Sequence, residues 1–306
     1  MFSWIKSKAP QLRVGLEIRA DGMALAVATK NQEGGRNITF CEYLSCSAAE
    51  RVAKLSELVE ANKLAGAHCH LVLPAEQYQT YPVEKPKVDE SELNDAIRWK
   101  VKDMLDFDLE NAVTDAYAFP EDALRGRPPL VNVTVARKAL IQGYVNLLKE
   151  CGLSLQCIDV ADLALRNVCV QIPDREERPT ALLYLRNGSG NMILVKGDTL
   201  YLARHFDFSV QALNEPSQQD SVMQQLALEI QRSFDYFESQ MAQVPPQEMV
   251  LAGPDPSIPL ANMLGGNIAA RVAAFDWSLC FAEGQAGVNE VNCLVAAGAA
   301  LRETEH

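Results

Sequence analysis

No stretch of the chain approaches the roughly eighteen or more consecutive apolar residues that a membrane-spanning helix needs. The N-terminus also lacks an apolar signal core behind its lysines, so the sequence reads as cytoplasmic. Positive charge is scarce: 28 lysines and arginines stand against 40 acids, a net charge of −12. That balance argues against a general nucleic-acid binder and a polybasic membrane anchor, both of which need a cationic surface. No Cys-x-x-Cys pair occurs, and the eight cysteines at 41, 46, 69, 151, 157, 169, 280 and 293 fall mostly within apolar patterns. They read as free thiols serving as small core residues. The one metal-like cluster, His68-Cys69-His70, opens a strand-like run in which successive side chains face opposite ways. Only His68 and His70 could converge there, so a structural role is expected and no metal.

What the chain has is length for about two cores, with 306 residues of which 48% are hydrophobic and 22% charged. Its organising stretch is 180–206. Apolar runs at 181–185, 192–195 and through Tyr201-Leu202 are separated by the turns Arg186-Asn187-Gly188-Ser189-Gly190 and Lys196-Gly197-Asp198. Three short strands with glycine-containing turns predict an antiparallel meander. A similar meander opens the chain: strand-like runs at 12–18, 23–29 and 38–44, the first two joined by Arg19-Ala20-Asp21-Gly22. Each meander is followed by helical sequence, which suggests one architecture built twice.

Between the meanders the chain alternates. A helix is predicted over 49–63, a strand ending at Leu73, a connector at 83–87, a helix capped by Asp89, and strands at 114–119 and 130–136. Residues of about 38–136 are read as a small α+β insertion, with its charged loop 121–127 exposed and mobile. Helices follow at 138–151, ended by Gly152, and at 162–171. Pro173 to Pro179 is the expected boundary. The second half then carries a polar loop at 214–219, a long helix over 221–241 capped by Asp220, and a strand at 248–252. A short helix near 260–264, a strand at 269–275 and a small-residue helix at 291–301 complete it. The domains expected are thus 1–178 with its insertion and 179–306, the last helix packing on its own lobe or returning to the first. Phe2, Trp4 and Ile5 beside Lys6 and Lys8 could touch a membrane or partner, or simply fray.

The order and spacing of several fragments resemble one known family. They are Val14-Gly15-Leu16-Glu17-Ile18, Val72-Leu73-Pro74, Ala96-Ile97-Arg98-Trp99 and Val133 to Lys138. Glu229 to Phe237, Val250-Leu251-Ala252-Gly253 and Ala296 to Arg302 continue the likeness. The family is that of the cytoplasmic actin-like proteins (PilM/GspL) of type IV pilus and type II secretion assembly platforms, nearest the branch serving the mannose-sensitive haemagglutinin (MSHA) pilus. The resemblance implies an α/β, two-lobed actin-like ATPase (ribonuclease H-like) fold with a small α+β subdomain inserted in the first lobe.

It also implies where a nucleotide would lie and how this chain departs from that pattern. Nucleotide-using relatives have Gly-x-Asp-x-Gly-Ser at the first phosphate turn, where this chain has Gly15, Glu17, Arg19 and Ala20. Arg19 replaces a residue small enough for phosphate to approach the backbone, and it could instead bind an anion, fill the pocket or pair with Glu17. At the second turn Leu185 occupies the place of the metal-supporting carboxylate, ahead of Gly188 and Gly190. Gly253-Pro254 stands where relatives carry an adenosine-side glycine pair, and Pro254 removes a donor. The degenerate cofactor residues are therefore Glu17, Arg19, Gly188, Gly190 and Gly253. No catalytic residue, cofactor or enzymatic activity is expected.

By the same resemblance the function expected is a non-catalytic cytoplasmic adaptor, peripheral at the inner membrane. Its partners would be the cytoplasmic tail of a bitopic platform protein and the pilus motor ATPase, with no nucleic acid. An ATP-binding conformational switch is the alternative. Tyr78, Tyr81, Trp99, Phe107 and Arg137 are the candidate tail-binding residues.

Overall fold

The computed structural model describes residues 12–31, 34–173, 178–253, 259–282 and 289–303. The segment carrying Phe2, Trp4, Ile5, Lys6 and Lys8, residues 174–177 of the expected boundary, and Pro254 lie outside the described residues. In chain order the elements are β1 (Arg13–Ile18), β2 (Gly22–Lys30), β3 (Arg36–Ser45), α1 (Arg51–Ala61), β4 (His68–Leu73) and β5 (Tyr78–Glu84). Next come α2 (Glu90–Lys100), β6 (Ala112–Ala118), β7 (Leu130–Arg137), α3 (Lys138–Glu150), β8 (Ser154–Val160) and α4 (Ala161–Cys169). The rest are β9 (Thr180–Arg186), β10 (Ser189–Lys196), β11 (Thr199–Phe206), α5 (Val210–Asn214), α6 (Pro216–Ser239), β12 (Glu248–Ala252), α7 (Leu260–Gly265), β13 (Arg271–Ala274) and α8 (Asn289–Leu301).

These elements form two compact units, one of Met1–Pro74, Gly143–Val168 and Trp277–His306, the other of Ala75–Gln142 and Cys169–Asp276. The first contains a five-stranded sheet in the order β3-β2-β1-β4-β8. The second contains a sheet in the order β11-β10-β9-β12-β13. In each, an antiparallel meander supplies three strands and two later strands add in parallel beside the first. The doubling suggested by the glycine turns is therefore a doubling of topology.

In the first unit α8 crosses the sheet, packing on β1, β2, β3 and β4. Small residues make this seat. A Cβ on Gly15 would lie 1.9 Å from the Ala296 carbonyl oxygen, and one on Gly298 would lie 2.0 Å from that of Ala164. Two side chains then serve carbonyls in the last turn of α8, which have no partners within the helix. Asn167 Nδ2 donates to Gly298 O at 3.0 Å, and His70 Nδ1 lies 3.1 Å from Ala299 O. Arg302, just past the helix, donates to Asp159 Oδ2 at 3.0 Å. The choice left open for the terminal helix is thus settled in favour of the first unit.

In the second unit α6 lays Met223, Leu226, Ile230, Phe234 and Phe237 into a core with Leu183 and Leu185 of β9 and Met192 and Leu194 of β10. The helix starts at Pro216, five residues earlier than expected, because proline at a first helical position has no amide to lose. Asp220 therefore lies inside it. Ser209 instead caps the short α5, accepting from the Ala212 amide.

The insertion is smaller than the sequence suggested. β3 and β4 pair within the first sheet, so the separate α+β module begins beyond Pro74 with β5 and not near residue 38. Its three strands, ordered β5-β7-β6, pack Val83, Val131, Val133 and Val135 against Ile97 of α2 and Val101 just past its end. The sequence reading places no strand over 78–84 and a connector at 83–87, whereas the structure has β5 there, with Pro82 inside it. β5 is an edge strand, the sheet position that tolerates a missing amide donor.

The loop after β6 is exposed at Glu121, Asp122, Arg125, Gly126 and Arg127, as expected, but it is also tied down. Ala123 is buried in the core of the second unit. Asp122 accepts from Tyr201 Oη at 2.6 Å and from Lys196 Nζ at 2.9 Å, and Lys196 also donates to Gln243. Burial pushes the Asp122 carboxyl up, but these donors outweigh it and hold it below the usual carboxylate range. None of the eight cysteines is in a disulfide. Among the described residues no group of side chains could hold a metal and no helix is long and apolar enough to cross a membrane.

Candidate functional site

The first candidate turn follows β1. Its backbone closes through the Arg19 amide donating to Gly22 O at 2.9 Å. Glu17 and Arg19 are both buried, and Arg19 Nη1 lies 3.3 Å from Glu17 Oε2. The same nitrogen donates to the Asn292 carbonyl oxygen of α8 at 3.1 Å, and Nε reaches Asp21 Oδ1 at 3.2 Å. The guanidinium also stacks 4.3 Å from the centroid of the Tyr43 ring. One planar cation is thus held by two carboxylates, a helix carbonyl and an aromatic face, which is how a buried arginine is made tolerable. Of the roles left open for Arg19, the geometry has it fill this position and pair with Glu17. Asp21, Tyr43 and Asn292 were not singled out from sequence. Asp21 lay in a visible turn, but the partners from β3 and α8 are brought in only by folding.

The glycine at this turn has a packing explanation too. Gly15 faces the α8 backbone, where any side chain would collide.

The second candidate turn joins β9 to β10. Leu185 is fully buried within the core of its unit, opposite Gly190 in the strand register. Gly188 has φ of +85°, a backbone conformation that favours glycine, and its amide donates to Phe208 O at 2.8 Å. Gly190 lies beneath Phe206, whose ring carbon would come within 2.1 Å of an added Cβ. The turn's glycines therefore serve a tight bend and a ring stacked on backbone. A cavity of about 450 Å³ opens beside it, lined by Gly188, Phe206, Phe208, Ser209, Val222 and Leu226 among others. Among the described residues of its lining Asp207 is the one charged side chain. Gly253 ends β12, and an added Cβ there would meet the Leu251 side chain at 3.4 Å, an ordinary contact.

The five candidate tail-binding residues differ in exposure. Tyr78 is buried and sets its ring edge-on to His205, with centroids 6.3 Å apart. Tyr81 and Phe107 are half-buried against the core of the α+β module, and the Tyr81 hydroxyl donates to Met104 O at 3.1 Å. Arg137 stacks 4.1 Å over the Phe107 ring and reaches the Asp106 carboxylate at 3.1 Å. Trp99 of α2 is 66% exposed, with Lys102 Nζ 5.6 Å from its ring centroid. The structure brings Phe107 and Arg137 together, and leaves Trp99 facing solvent.

No family model matches the sequence, and no curated protein matches it. Solved structures do resemble the fold. A chain of a PilM–PilN type IV pilus biogenesis complex is 18% identical, covers 96% of this chain and 98% of its own, and superposes with a TM-score of 0.75. The cytoplasmic domain of EpsL, an inner-membrane component of the type II secretion system of Vibrio cholerae, is 15% identical over 96% of this chain and 95% of its own, with a TM-score of 0.55. A Bacteroides thetaiotaomicron protein of unknown function with an actin-like ATPase fold is 12% identical over 90% of this chain and 94% of its own, with a TM-score of 0.52. The chain has the two-lobed actin-like ATPase (ribonuclease H-like) fold with an inserted subdomain.

Proposed function

We propose that this chain is a non-catalytic adaptor of a type IV pilus or type II secretion assembly platform, specifically that of the MSHA pilus. In this reading it works in the cytoplasm at the inner membrane, receives the short cytoplasmic tail of a bitopic platform protein, and relates that platform to the motor ATPase. Fold alone does not carry such a claim. The observation that carries it is Leu185: the position expected to support a metal ion is a leucine sealed in the core of β9, β10 and α6. A buried aliphatic side chain can neither hold a magnesium hydration shell nor position water.

Two further features support the same reading. Arg19 occupies the first turn with a bulky cation already committed to Glu17, Asp21 and Asn292. The Gly188 amide, which a phosphate-binding turn would point at its ligand, is committed to Phe208. The likeness to a PilM–PilN complex chain extends over both lengths, which accords with an adaptor whose partner is a membrane-anchored platform protein.

Calorimetry of the purified chain with the platform tail peptide, repeated in magnesium-ATP, tests this. The expected result is tail binding whose affinity is the same with and without nucleotide, and no heat from nucleotide alone. Nucleotide binding at cellular magnesium-ATP levels that alters tail affinity would replace the adaptor with an ATP-dependent switch, because coupling of two ligands is reciprocal.

A further inference from the structure

The end of the first sheet at which β1 begins gathers positive charge, in a chain whose net charge is −12. Arg13 stands opposite Ala28 of β2 and His68 of β4, and Arg36, the first residue of β3, stands opposite Lys30, two places beyond Ala28. Residues opposite one another, or two apart along a strand, share a face, so Arg13, Lys30, Arg36 and His68 lie on one side of the sheet. That side is the one α8 covers, because Gly15, two places along β1 from Arg13, meets the Ala296 backbone. Arg302 follows the end of α8, and both it and Arg36 lie close enough to Arg13 to lower its pKa. Arg13 itself is half-buried. Its Nη1 is buried and has no hydrogen-bond partner among the described residues.

A guanidinium nitrogen shut away from water without an acceptor costs free energy, and like charges beside it add to that cost. Burial first, then Arg36 and Arg302, hold the Arg13 pKa below the usual arginine value. Packing explains Arg302, which follows a helix C-terminus and donates to Asp159, but it gives Arg13 Nη1 no acceptor. The carboxylates at hand among the described residues are Glu303, which acts on Arg13, and Asp159, bonded to Arg302. Three guanidiniums and the exposed Lys30 ammonium outnumber them.

We propose that Arg13, Arg36 and Arg302 form an anion site that takes a phosphate monoester group. Such a group carries about −1.5 to −2 charges at pH 7, which matches the local surplus, and its oxygens fit the fork of a guanidinium. A soluble phosphate and a lipid headgroup present the same chemistry. The site lies wholly in the first unit and does not depend on how a platform tail binds.

The test titrates the full-length chain with inorganic phosphate, against chloride at equal ionic strength, and follows the phosphorus NMR line width and Tm. Saturable broadening and a rise in Tm are expected, with affinity weakened about tenfold or more in Arg13→Gln and in Arg36→Gln. Without phosphate, Arg13→Gln should not lower Tm, because it removes a cation that lacks an acceptor. Flotation with phosphatidylcholine vesicles, with and without phosphatidic acid, separates the two sources. Binding to the phosphatidic acid vesicles that free phosphate competes away and Arg13→Gln abolishes identifies a lipid headgroup; phosphate binding without flotation identifies a soluble phosphate. A wild type that gives no saturable phosphate response, or variants that respond as it does, would overturn the site. So would flotation that neither free phosphate nor Arg13→Gln reduces, and a fall in Tm of Arg13→Gln without phosphate would show that the guanidinium already has its acceptor.

Discussion

At the scale of single residues, burial decides how the turns read. Leu185 faces a core of aliphatic and aromatic side chains, so Leu185→Asp puts a carboxylate where nothing can solvate it. Destabilisation of about 3–5 kcal/mol is expected, measured as a lower urea midpoint. Arg19→Ala removes the cation beside the buried Glu17 carboxylate and is expected to cost about 3–5 kcal/mol by the same measurement. The two changes together should therefore not restore ATP turnover; turnover by a folded double variant would show that the turn geometry is intact. Gly15 carries a complementary lesson. A glycine beside a phosphate-like motif invites a ligand explanation, but its missing Cβ makes room for the α8 backbone.

At the scale of elements, two attachments can be tested. The first is the end of α8 on the sheet. Burial, with Arg13 and Arg302 nearby, lowers the His70 pKa from 6.5 to about 4, so the folded chain keeps the ring neutral beside Ala299 O. The unfolded chain takes up the proton first as pH falls. This contribution is thus fully present above pH 6.5 and is lost between 6.5 and about 4, up to about 3 kcal/mol. Stability measured against pH should show that slope, and His70→Asn should flatten it.

The second attachment is the loop after β6. Tyr201→Phe deletes the donor to Asp122 and should cost about 1–2 kcal/mol. Hydrogen exchange at the Ala123 amide should quicken, because Ala123 is held in the core by the same loop. The element scale also shows where sequence reading fails. The meanders and α6 were legible because period-two runs between glycine turns, and a long period-3.6 stripe, each have few alternative structures. β5 was not legible, because a run holding Pro82 and followed by Pro86 suits a strand only at a sheet edge, and that place is set by its pairing with β7. The exposure of loop 121–127 was legible from its charge, but its tether was not, because the partners Tyr201 and Lys196 lie more than seventy residues away in sequence.

At the scale of the whole molecule, the same five-strand order appears twice, and one copy is interrupted by the α+β module. The adaptor reading predicts that millimolar magnesium-ATP leaves Tm unchanged, because a ligand that does not bind the folded state cannot stabilise it. A nucleotide-dependent rise in Tm would overturn that reading independently of any tail peptide.

The sequence by itself determined the repeated meanders, the scattered cysteines and the net negative charge, since these depend on composition and on neighbours a few residues apart. It also located the turns where a leucine and an arginine stand. Only the tertiary structure decided that Arg19 is claimed by Glu17, Asp21 and Asn292, that Gly15 and Gly298 are spaces for backbone, that α8 returns to the first sheet, and that Trp99 alone among the candidate aromatics is left to solvent. The reason is physical: a side chain's role depends on what fills the space around it, and here that space is filled by segments tens to hundreds of residues distant along the chain.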